Sequence, residues 1–147
     1  MKKFVFALER VLHVRQAQAR IEEVKLERLY GERKSIETRE QSLRDQRRHS
    51  ENEIRGRGET NAAELAALDA FQQHVQVEMQ RSQQAHAACE SRIQGQMQAV
   101  TGKRREVKLL EKLKSQRLTN WKSDFDREVT QQTEESHLAK WNRENIK

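Results

Sequence analysis

Along the chain, apolar residues return every three or four positions, with strongly polar residues between them. In the first third, Leu8, Leu12, Ala19, Leu26, Leu29, Ile36, Leu43 and Ile54 recur at steps of 3, 4, 7 and 11. Further on, Leu65, Leu68, Phe71, Val75, Met79, His86, Cys89, Ile93, Val100, Val107, Leu110 and Leu113 do the same. No run alternates as a β-strand would. Mixed steps of 7 and 11 describe a helical seam that drifts around the helix axis, which is the pattern of a coiled coil without strict heptads. Arg15, Glu22 and Lys25 interrupt the first seam, so packing is expected to be weak there.

The break between the two seams is "RGRGETNAAEL". Gly56 and Gly58 sit two apart, and glycine costs stability inside a helix. Asn61 is placed to cap a new helix, and Glu64, three residues on, completes the spacing of a capping box. The pattern predicts helix one over about 4–55, a turn at about 56–61 and helix two over about 62–141. A short loop makes successive helices antiparallel neighbours. The expected fold is therefore all-α: one domain spanning 1–147, an antiparallel coiled-coil hairpin whose second helix is the longer. A turn centred near residue 58 sets Leu8 opposite Leu109 and Phe4 opposite Leu113. Residues from about 118 onward then have no partner. Yet Leu118, Trp121, Phe125 and Val129 form one apolar stripe there, followed by Leu138 and Trp141.

Composition narrows the choice between long helices and disorder. Hydrophobic residues make up 34% and charged residues 35%, against about 45–50% and about 25% in ordinary globular domains. So few apolar groups cannot fill a thick core. But the chain has no proline, whereas disordered chains are enriched in it. Its commonest residues are strong helix formers. Glu9 and Arg10 break the apolar run at the start, which disqualifies it as a secretory signal. No stretch approaches the length of a transmembrane helix. Cys89 is the single cysteine and offers no intrachain disulfide. These features point to a soluble, cytoplasmic protein.

The net charge of +6 permits acidic partners without choosing one. The run "KRREVKLLEKLKSQR" (103–117) carries seven Lys/Arg and two Glu. Seam residues thread through it, and it lacks the continuous basic region of a zipper protein, so nucleic acid is not the expected partner. There is no phosphate-binding glycine loop. His86 and Cys89 stand three apart, but no second pair accompanies them, and packing accounts for both. Glu134, Glu135 and His137 are neighbours, yet a pair of helices offers no pocket for acid–base chemistry. No enzymatic activity, cofactor or metal is expected.

"FVFALERVLHVR" (4–15) resembles the opening signature of the flagellar export protein FliJ family. "REVKLLEKLKSQRLTNWKSDFDREVTQQTEESHLAKW" (105–141) is similar to that family's C-terminal half. The resemblance implies a stalk of the flagellar type III secretion apparatus, similar to the central stalk of rotary ATPases. Such a stalk enters and stimulates a hexameric export ATPase, meets the cytoplasmic domain of the membrane export gate and escorts export chaperones. It sits in the cytoplasm, peripheral to the inner membrane. The family's gate-binding patch implies contact through Phe71 and Val75; Glu78 and Ser82 depart from the rest of that pattern. The candidate ring contacts are Arg10, Arg15, Lys103, Arg104, Arg105, Lys108 and Lys112, supported by Trp121 and Phe125. Two alternatives stay open: the equivalent stalk of an injectisome, and a generic coiled-coil scaffold or nucleic-acid tether.

Overall fold

In a computed structural model, which describes residues 2–146, the chain forms two helices and, among the described residues, no strand. Helix α1 is Glu9–Gly56 (48 residues) and α2 is Ala62–Asn145 (84 residues). The two pack as an antiparallel hairpin, the second longer than the first. The turn falls where the glycines predicted it: Gly58 has φ +71°, a left-handed conformation that only glycine adopts without strain. Asn61 caps α2, its Oδ1 accepting the Glu64 N–H at 2.8 Å. The Glu64 carboxylate turns instead to Arg57 at 3.5 Å, so only the asparagine half of the capping box is seen. At the far end α2 runs to Asn145, slightly beyond the expected 141.

Helix one differs more. It begins at Glu9, not at residue 4. Residues 2–6 have no regular structure, and 7–8 form a turn in which the Glu9 N–H bonds the Phe6 carbonyl at 3.1 Å. The exposure of this stretch explains why. Phe4 is half-buried, Val5 is 80% exposed and Phe6 is buried. Sides alternate with period two, as in an extended chain, and both aromatics reach one surface only that way.

The chain divides into two compact units. One is residues 20–101. Its core is Leu29, Cys89 and Ile93, packed against Leu26 and Ile36. Val75 is 2% exposed, and Leu43 and Val100 are also buried. Burying each such side chain is worth about 1.5–3 kcal/mol. Leu65, expected in the seam, is 52% exposed; it lies in the first turn of α2, beside the loop. Ser82 is buried but satisfied, donating to Glu40 at 3.2 Å. Glu22, an expected interruption, is answered across the seam by Gln96, whose side-chain amide donates to the Glu22 carbonyl at 2.9 Å and its carboxylate at 2.6 Å. Ion pairs Arg39–Glu78 (2.8 Å), Arg33–Glu90 (3.0 Å) and Arg92–Glu32 (3.1 Å) join the two helices along the rims. Such exposed pairs contribute only about 0.2–1 kcal/mol each, so they fix register more than stability.

The other unit is residues 1–19 with 102–147. Phe6, Leu12 and Ala19 are buried in it, and Leu8, Val107, Leu110, Leu113, Leu118 and Trp121 are half-buried. The register expected here is corrected. Leu109 does not face Leu8; it is 70% exposed. Lys114 meets Glu9 instead, with its Nζ 2.8 and 2.9 Å from the two carboxylate oxygens. Helical side chains lean toward their own N-terminus. In an antiparallel pair, the residues that touch therefore lie further along both chains than backbone level suggests.

Candidate interaction site at the end bearing both termini

The strap, residues 2–8, runs extended over 2–6 and lies against α2 through Phe4, Phe6 and the Lys2 carbonyl. Phe4 meets Trp121 with ring centroids 6.0 Å apart, and Trp121 stacks on Phe125 at 5.5 Å and 21°. The Trp121 indole donates to the Lys2 carbonyl at 3.3 Å, and the Arg117 guanidinium stands 5.9 Å from the Phe6 ring centre. The overhang therefore starts later than expected: Trp121 is covered from one side, by a segment outside α1. An extended residue advances about 3.3 Å against about 1.5 Å in a helix, so this short strap reaches well beyond where further turns of α1 would end.

The basic candidates separate by side. Arg15 pairs with Glu106 at 3.2 Å, and Lys103 approaches the same oxygen at 3.6 Å. That oxygen accepts no aligned hydrogen bond, so charge alone holds the three together. Arg10, Arg104, Arg105, Lys108 and Lys112 are exposed. Arg105, Lys108 and Lys112 step by three and four along one outer face of α2, beside the exposed Leu109. At the start of α2, in the other unit, Phe71 is half-buried while Val75 is turned into the seam.

Two carboxylates are tuned by these pairings. The hydrogen bond from Lys114 holds the Glu9 carboxyl below its ordinary range, against a smaller opposing effect of burial, with His13 assisting. The hydrogen bond from Arg39 does the same for Glu78. His86 Nε2 is 3.4 Å from Glu37, and Cys89 is buried with its thiol 3.5 Å from the Leu29 carbonyl. Among the described residues, no group of His, Cys, Asp and Glu is arranged to hold a metal. No helix is long and apolar enough to cross a membrane. The strap, Arg117 and the Glu9–Lys114 pair were missed from sequence. The available signal was the Phe-Val-Phe alternation, which fits an extended chain better than a helix.

Comparison of the chain with protein families, curated proteins and solved structures gives no match.

Proposed function

We propose that this protein is a non-enzymatic stalk of the flagellar type III export apparatus. Its terminal end would insert into the hexameric export ATPase and stimulate it. The observation that carries the reading is the Phe4–Trp121–Phe125 cluster, left partly open to solvent, on a helix that also exposes the cations Arg105, Lys108 and Lys112 on its outer face. A hairpin that only had to stay folded would gain nothing from an open aromatic ladder at its end. A ring of subunits can grip it. The stalk acts by binding one arrangement of the ring better than another, which shifts the ring toward that arrangement. Phe71, near the other end of the seam, is the candidate contact for the cytoplasmic domain of the export gate. Attachment at the inner membrane would come through that gate, and export chaperones would be passengers.

The test is ATP hydrolysis by the purified flagellar export ATPase with and without the protein. Stimulation is expected. It should be lost in the Arg104→Glu, Arg105→Glu, Lys108→Glu triple variant while helicity is retained. It should also weaken as ionic strength nears about 0.15 M, where the Debye length is about 8 Å. Absence of stimulation by the parent protein overturns the reading. Deletion that leaves motility intact but abolishes effector secretion would move the stalk to an injectisome.

A further inference from the structure

The seam face of α2 does not stop where its cover stops. Trp121 is the last residue of that face met by the strap. The same face continues through Phe125, 38% exposed, and Val129, 44% exposed. Phe125 is held in place by its stack on Trp121 at 5.5 Å. A stiff aromatic, fixed at the edge of an existing interface, is an anchor whose ordering cost is already met.

The balance of charge along this face changes beyond the strap. Under the strap and α1, α2 contributes Lys103, Glu106, Lys114 and Arg117, and α1 answers Glu106 with Arg15 and Lys114 with Glu9. Beyond Trp121, at about 3.6 residues per turn, Glu128 and Asp124 border one side of the Phe125–Val129 stripe. Asp126 and Lys122 border the other, and Arg127 falls on the opposite side of the helix. The open stripe is therefore framed by three carboxylates and one ammonium.

We infer that the Phe125–Val129 face docks a basic amphipathic helix of a partner protein, one that takes over the path of α1 and brings lysine or arginine beside an apolar edge. The frame excludes the other occupants. Nucleic acid and anionic lipid carry the same sign as Asp124, Asp126 and Glu128. A second copy would bring its own Asp124, Asp126 and Glu128 against these. Leu138 and Trp141 lie on the opposite side of α2 and belong to a different surface.

This goes beyond the export reading, since it sets the chemistry of the cover whichever assembly supplies it. The experiment titrates the full chain with two labelled three-heptad peptides, one with Leu at a and d and Lys at e and g, the other with Glu at e and g. Like charges keep each peptide from pairing with itself. Fluorescence anisotropy should show the Lys peptide binding about tenfold tighter or better than its Glu twin, a difference of about 1.4 kcal/mol. The preference should shrink in Asp126→Asn, Glu128→Gln. Binding should be lost in Phe125→Ser, Val129→Ser and kept in Leu138→Ser, Trp141→Ser, with circular dichroism confirming that each variant remains helical. Equal affinity for the two peptides overturns the inference. So does Lys-peptide binding that survives loss of Phe125 and Val129, or self-association through those residues in sedimentation equilibrium. No ATPase is present in the titration. Its failure leaves the stalk reading intact, and an unresponsive ATPase leaves this inference intact.

Discussion

The ring of Phe4 stands 6.0 Å from that of Trp121 across a gap of well over a hundred positions in sequence, and Phe4 belongs to no helix. That contact depends on the strap being extended. If residues 2–8 wound into further turns of α1, Phe4 would fall short of Trp121 and leave the indole open. The strap is fastened at few points: the buried Phe6, the Phe4 contact and the indole hydrogen bond to Lys2 at 3.3 Å.

Phe6→Ala should therefore detach the strap. Removing a fully buried phenylalanine costs about 3–5 kcal/mol where the whole fold registers it. Here the strap can come away by itself, so the midpoint of global unfolding should move less. The clearer readout is Trp121 emission in a Trp141→Phe background. It should shift to the red in Phe6→Ala, and less in Phe4→Ala.

The seam itself was legible at the level of single residues. Leu29, Cys89 and Ile93 fall at helical spacing, and they form a core cluster. What spacing could not show was the register. Leu109 faces water because it sits about 100° around α2 from the seam residue Leu110, and the lean of helical side chains decides which residues meet across the seam, as Glu9 and Lys114 do. The strap was illegible for a related reason. Phe4, Phe6 and Leu8 fit a helical stripe loosely and an extended alternation well, and the helix-forming residues after them tipped the reading. The aromatic ladder was half legible: the Trp121–Phe125 spacing was visible, its cover was not.

This contrast gives a stability test. Leu29→Ala removes a side chain that is 7% exposed and should cost about 2–4 kcal/mol. Leu110, only half-buried, should cost less, and Leu109→Ala should stay within about 0.5 kcal/mol. Urea denaturation ranks the three. Equal losses at Leu109 and Leu29 would show that the register is wrong.

Glycine substitutions should separate turn from helix. A side chain at Gly58 would have to adopt φ +71°, so Gly58→Ala should destabilise by about 1–2 kcal/mol. Gly31, Gly95 and Gly102 are helical, with nothing within 4 Å of an added Cβ. Alanine there should stabilise by about 0.5–1 kcal/mol each. Thermal melts of the single variants show the opposite signs directly.

The acid limb of stability should follow the cross-helix pairs. The Lys114 hydrogen bond to Glu9 and the Arg39 hydrogen bond to Glu78 each hold a carboxyl below its ordinary value of 4.5 in the folded chain. Unfolded, each returns to that value and binds a proton more readily. Stability from these pairs is therefore fully present above about pH 4.5 and is lost as pH falls through the lowered folded values. Both carboxylates lie toward the surface, so the effect should also shrink with added salt. The measurement is the urea midpoint between neutral pH and pH 3, for the parent and for Glu9→Gln and Glu78→Gln. Each variant should be less stable than the parent at neutral pH, and the gap should close on acidification. A gap that persists unchanged at pH 3 would mean that lost packing, rather than the ion pair, is what each substitution removes.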